Sequence, residues 1–129
     1  MAKSRSRARR KSPSKAALSA SPPAPASLEI YDTTLRDGAQ AEDVSFSADD
    51  KVMVARRLDE LGVQFIEGGW PGANPRDIEF FRMIKETPLT QATVVAFGST
   101  RKASNPVQKD ANIQALLQAE TKVITLFGK

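Results

Sequence analysis

With 129 residues and 40% hydrophobic content, the chain has room for one modest globular core, or part of one, and not for two. It contains no cysteine, which excludes a disulfide framework and a thiolate metal site and sets a reducing cytoplasm as the expected compartment; no stretch approaches the roughly 18 consecutive apolar residues of a membrane span. The net charge of +4 is unevenly spread: residues 1–28 hold seven Lys and Arg and no acid, so the remainder, with 12 basic and 15 acidic residues, carries about −3, and a nucleic-acid partner is not expected for the folded part.

Residues 1–27 alternate Ser with Arg, then run through Ala and Ser to Pro22-Pro23-Ala24-Pro25, with almost nothing to bury. They are read as a disordered, basic, Ser/Pro/Ala-rich tail. A solvated extension, an organellar transit peptide rich in Arg and Ser, and an RNA- or membrane-binding arm all fit that composition, the RNA arm least well because the segment holds no aromatic residue.

From Leu28 onward strand-like and helix-like segments alternate. A first strand is expected over residues 28–31, and Ser47 with Asp50 three positions later forms a capping-box start for a helix that buries Val52, Ala55, Leu58 and Leu61 and ends at Gly62. A second strand follows at 63–66. Asn74-Pro75 then pairs an N-cap with a proline at the first helical position, ahead of a buried stripe of Ile78, Phe81 and Ile84 that Thr87-Pro88 closes off. The third strand is expected at 93–97, a helix capped by Asp110 and burying Ile113, Leu116 and Leu117 comes next, and the fourth strand lies at 122–127. Strand starts about 30 residues apart are the βα repeat length, so the fold class is α/β with a parallel sheet, closed as a barrel or open and doubly wound.

In such folds ligands bind at the C-terminal ends of strands. There the chain places Asp32-Thr33-Thr34-Leu35-Arg36-Asp37-Gly38-Ala39-Gln40, then Glu67-Gly68-Gly69-Trp70-Pro71-Gly72, then Gly98-Ser99-Thr100-Arg101 and Gly128-Lys129. Asp32 and Asp37 offer hard oxygen ligands for a divalent cation beside Arg36, and Glu67 can join them in one pocket. Arg36 can stabilise a developing enolate or alkoxide without changing protonation. Against this stands the plain alternative that the two aspartates satisfy turn amides and Arg36 pairs with one of them. The glycines at 68–72 lack the spacing of either phosphate-binding loop and are expected to let the backbone approach the mouth of the sheet; Trp70 is either a wall on the substrate side or loop packing.

The stretch Asp32–Gly38 resembles the signature of the metallolyase-type TIM barrels, which include the isopropylmalate, homocitrate and citramalate synthases and hydroxymethylglutaryl-CoA lyase. Residues 67–75, 95–101 and 125–129 are similar to the citramalate synthase branch. The resemblance implies a TIM (β/α)8 barrel of which residues 28–129 hold about the first four βα units, a half-barrel. It implies an acyltransferase that condenses acetyl-CoA with a 2-oxo acid, pyruvate to citramalate, in branched-chain amino-acid biosynthesis, and a homodimer in the full-length form. Asp37 would be a ligand of the divalent metal (Mn²⁺ or Mg²⁺, or Zn²⁺). Arg36 would contact the substrate oxygen, while Gln40 and Glu67 would line the same pocket, Glu67 ordering metal-bound water or assisting proton transfer.

Three positions depart from the pattern. Ala39 stands where isopropylmalate synthases usually carry Glu, Asp43 stands where Gly is usual and must tolerate a left-handed turn, and the His-x-His metal ligands have no counterpart, because the chain contains no histidine. Eight βα units need roughly 250 residues, so those ligands are expected on a missing second half, and the chain alone is expected to be inactive. Ile30, Phe65 and Val95 are expected to remain partly exposed in such a half-barrel. A lyase or carboxyltransferase of the same superfamily, or a non-catalytic truncated half-barrel, are the alternative readings.

Overall fold

The computed structural model describes residues 26–128, so nearly all of the basic tail, and Lys129, lie outside the described residues. Four strands, β1 (Tyr31–Asp32), β2 (Phe65–Gly69), β3 (Thr93–Ser99) and β4 (Val123–Phe127), form one parallel sheet in the order β1-β2-β3-β4. Helices α1 (Ala48–Leu61), α2 (Pro75–Lys85) and α3 (Ala111–Gln118) are the connections, with 3-10 turns at Gly38–Gln40 and Val107–Lys109.

The helix starts follow from local chemistry. At α1 the Ser47 hydroxyl accepts from the Asp50 amide while the Asp50 carboxylate accepts from the Ser47 amide, and Gly62 ends the helix in the left-handed conformation (φ 95°). Asn74 Oδ1 accepts from the Arg76 amide ahead of Pro75, and the Asp110 side chain accepts from the Ile113 amide. Asp43 adopts φ 64°, so the aspartate does carry the left-handed turn.

The strands differ from expectation in their bounds. β1 begins at Tyr31 rather than Leu28, because Leu28 and Ile30 are exposed and the Ile30 amide donates to the Gln64 side chain instead of to a neighbouring strand. β2 lies further along, over 65–69, so Glu67 sits within the strand and not in the loop after it.

The core lies between the sheet and the helices, where Ile66 and Ala96 from the strands meet Ala55, Phe80, Phe81, Ile84 and Leu116. Three helix residues expected there face outward instead: Leu61, Ile78 and Leu117 are 79%, 55% and 60% exposed. The buried line of α1 is Lys51, Ala55 and Asp59, one turn apart each, because two charged side chains find partners inside. Lys51 Nζ pairs with Asp77 of α2 and donates to the Gly68 carbonyl at 3.0 Å. The Asp59 carboxylate accepts from Thr90 N, Thr90 Oγ1, Gln91 N and Ala92 N at 2.7 to 2.9 Å and so ties α1 to the segment entering β3.

Gly68 and Gly69 turn out to serve helix packing and not the mouth of the sheet. A Cβ at Gly68 would overlap the Phe80 ring and one at Gly69 the Asp77 carboxylate, so both glycines let α2 press against β2. The opposite face of the sheet carries Tyr31, Phe65, Glu67, Val95, Phe97, Thr125 and Phe127. Val95, expected to stay partly exposed there, is fully buried, since Glu67 and Val123 are its register partners on either side.

Candidate active site

On that inner face, the turn after β1 brings Arg36 back over β2. The turn is built by Thr33, whose carbonyl accepts from the amides of Arg36, Asp37 and Gly38, and it places Leu35 in the core and Arg36 above the sheet. Arg36 Nε donates to Glu67 Oε1 at 2.5 Å and Nη1 donates to Asp37 Oδ1 at 3.0 Å. The guanidinium carbon lies 4.0 Å from the centroid of Phe97, whose ring stacks on Phe127 at 5.3 Å. Trp70 packs edge-on against both rings, donates its indole N–H to Asn112 Oδ1, and also borders the cavity beside Arg36.

Glu67 is 1% exposed, and both its carboxylate oxygens are taken: Oε1 by Arg36 and Oε2 by the Tyr31 hydroxyl. That hydroxyl also lies 2.6 Å from Thr125 Oγ1. Burial, and then the hydrogen bond to the Glu67 carboxylate, push the Tyr31 phenol up to about 12. It stays protonated, and a donor, at neutral pH.

The four predicted site residues are only partly assembled in one place. Arg36, Asp37 and Glu67 form a continuous chain of ion pairs. Gln40 instead lines, with Arg36, a cavity of about 120 Å³ between the residues after β1 and the loop after β2, and Glu67 is not on its wall. Gln40 lies on the 3-10 turn after β1 in an exposed position, at the edge of that cavity. Asp32 is committed to a local turn, accepting from the amide and hydroxyl of Thr34, as the plain reading of that aspartate required. Asp37 is the carboxylate that remains accessible: 63% of its side chain is exposed, and one oxygen is engaged by Arg36. Among the described residues no three His, Cys, Asp or Glu side chains converge as a metal site. Asp37 alone offers an accessible hard oxygen donor of the type a divalent cation takes, and the described residues bring no second ligand beside it.

Sequence reasoning missed Tyr31, Thr125 and the Phe97–Phe127 stack. Strand alternation carried the signal, since Tyr31, Glu67, Phe97 and Thr125 share one face once the register is known.

The model of the family described as HMGL-like matches residues 27–127, nearly the whole described chain. The chain belongs to the HMGL-like family. Among its relatives, the (R)-citramalate synthase of Geobacter sulfurreducens is 56% identical over 102 residues, covering 79% of this chain and 19% of that protein. The (R)-citramalate synthase of Synechocystis is 58% identical over 103 residues, with 80% and 19% covered. The 2-isopropylmalate synthase of Thermosynechococcus vestitus is more distant, at 42% over 82 residues, 64% of this chain and 15% of that one. The chain spans about a fifth of the length of the curated relatives it matches. The HMGL-like stretch thus contains every site residue described above.

Proposed function

We propose that this chain carries the first part of the catalytic barrel of an acyltransferase that joins acetyl-CoA to a 2-oxo acid, pyruvate giving citramalate, in branched-chain amino-acid biosynthesis. The observation that supports this most is the Arg36-Asp37 pair: a guanidinium fixed by a buried carboxylate and an aromatic face, beside an accessible carboxylate, at the C-terminal end of a parallel strand. Identities of 52 to 58% to (R)-citramalate synthases favour the synthase over a lyase or carboxyltransferase.

The barrel, rather than an open doubly wound sheet, is favoured by curvature and by the position of the helices. Three strand spacings in a flat sheet put β1 and β4 about 14 Å apart, more than a tyrosine and a threonine span together unless the sheet curls. Tyr31 and Thr125 nevertheless touch. The helices, moreover, share one core with one face of the sheet.

In this reading Asp37 binds Mn²⁺ or Mg²⁺, or Zn²⁺, which when bound supplies Lewis-acid polarisation of the keto group. Arg36 donates to the oxygen on which negative charge develops. Its Nη2 and the second hydrogen of Nη1 are uncommitted among the described residues. Glu67, with both oxygens occupied, contributes by holding Arg36, and Gln40 borders the neighbouring cavity as a substrate-binding residue. One metal-ligating carboxylate does not make a catalytic site, so the described residues alone are proposed to be inactive, and turnover to belong to a homodimeric protein of the relatives' length. The reading places it in the cytoplasm with its acetyl-CoA and 2-oxo acid substrates; no helix among the described residues is long and apolar enough to cross a membrane.

The test is thiol release from acetyl-CoA by a protein of the relatives' length that contains these residues, using pyruvate and 2-oxoisovalerate in parallel. Pyruvate-dependent release abolished by Arg36→Lys is expected. Release with neither acid, in a folded full-length protein with metal, would sink the reading.

A further inference from the structure

A buried carboxylate that orients a guanidinium must itself be held. The terminal torsion of a glutamate is broad, so one ion pair leaves the carboxylate free to rotate and the arginine free to swing with it. In this chain the second oxygen of Glu67 is fixed by a residue from a different strand, and that residue is braced by a third. Tyr31 on β1 donates to Glu67 Oε2 at 2.5 Å. The phenol has one proton, already committed to Glu67, so in the 2.6 Å contact with Thr125 the threonine hydroxyl of β4 donates and the phenolic oxygen accepts. The Tyr31 ring also packs against Phe65, at 6.2 Å between centroids.

The same fourth strand also supports the arginine. Phe127, two residues beyond Thr125 and on the same face, stacks on Phe97, which lies under the Arg36 guanidinium. Two arms therefore close on Arg36 across the concave face: Thr125, Tyr31 and Glu67 at its Nε edge, and Phe127 and Phe97 at its flat face.

We propose that Tyr31 is a positioning residue which, braced by Thr125, locks the Glu67 carboxylate and thereby fixes the direction in which Arg36 presents its free N–H groups. The assignment rests on the reading of Arg36 as the group that meets the substrate oxygen. It deepens that reading by placing the orientation of the arginine under the control of a hydroxyl that acts on it through Glu67.

The test uses the 129-residue chain with ¹⁵N-labelled arginine, following the Arg36 Nε–H resonance, identified by its loss in Arg36→Lys. In the unsubstituted chain that proton is expected downfield and slow to exchange with water. In Tyr31→Phe, which keeps the ring on Phe65, exchange is expected to accelerate about tenfold, the order expected for one hydrogen bond to a charged group. The backbone amides of α2 should be unmoved. Thr125→Val should give a smaller change in the same direction, and it serves as the reading if Tyr31→Phe does not fold. Exchange within about twofold of the parent in a folded variant of either kind would overturn the proposal. The thiol-release assay on a protein of the relatives' length separates the two ideas: a locked Arg36 signal with no pyruvate-dependent release counts against the active-site reading alone, while such release beside an Arg36 signal insensitive to Tyr31→Phe counts against the lock alone.

Discussion

Replacing Asp59 with alanine is expected to destabilise the chain by about 3 to 4 kcal/mol, counting roughly 1 kcal/mol for each hydrogen bond to the lost carboxylate. Asp59 is 4% exposed and its carboxylate accepts from three backbone amides and the Thr90 hydroxyl, and alanine removes the acceptor from all four donors. Asp59→Asn keeps one acceptor oxygen but turns an amide N–H₂ toward backbone donors, so a loss of about 2 to 3 kcal/mol is expected. The effect has a pH signature. Burial opposes the charge of Asp59, but the amides of Thr90, Ala92 and Gln91 and the Thr90 hydroxyl outweigh it and hold the group well below the usual carboxylate range. A depressed folded-state value means that the stabilisation is fully present above the unfolded value, about 3.9, and is lost as pH falls below it toward the folded value. Urea denaturation read by the single Trp70 at pH 7, 5 and 3 measures both effects. Parent and Asp59→Asn should differ equally at pH 7 and 5, with the gap narrowed but not closed at pH 3. A loss under about 1 kcal/mol for Asp59→Ala, or a gap that widens with acid, would refute the reasoning.

Lys51→Met leaves the Asp77 carboxylate buried without its cation and is expected to cost about 3 kcal/mol; because Asp77 also accepts from the Trp70 amide, denaturation should be accompanied by altered Trp70 emission in the folded state. Gly68→Ala forces a methyl against the Phe80 ring, and a loss of about 2 kcal/mol in urea is expected, with Gly128→Ala as the neutral control. Isothermal calorimetry should show weak Mn²⁺ binding to the chain that Asp37→Ala removes; equal binding by the variant would defeat the assignment of Asp37. Tyr31 is the single tyrosine, so its phenolate absorbance titrates it alone: a midpoint near 12 is expected, moving only part of the way back in Glu67→Gln, because burial, the larger cause, remains. An ordinary midpoint in the parent would contradict the Tyr31–Glu67 contact.

The order and type of elements, and the caps that start and stop the helices, were legible in the sequence. Ser47 with Asp50, Asn74-Pro75, Asp110 and Gly62 act on backbone groups within a few residues, so their information is local. The Arg36-Asp37 pair was legible for the same reason, since one turn after β1 holds both. Which helix face is buried was decided only by tertiary structure. Apolar periodicity pointed to Leu61, Ile78 and Leu117, whereas α1 buries Lys51 and Asp59, because a charge can be enclosed where partners 26 to 33 residues away complete its hydrogen bonds. Glu67 could be nominated from its position, but its immobility could not. Tyr31 and Thr125 lie 94 residues apart in the chain, and only the curl of the sheet brings their hydroxyls together over the carboxylate that holds Arg36.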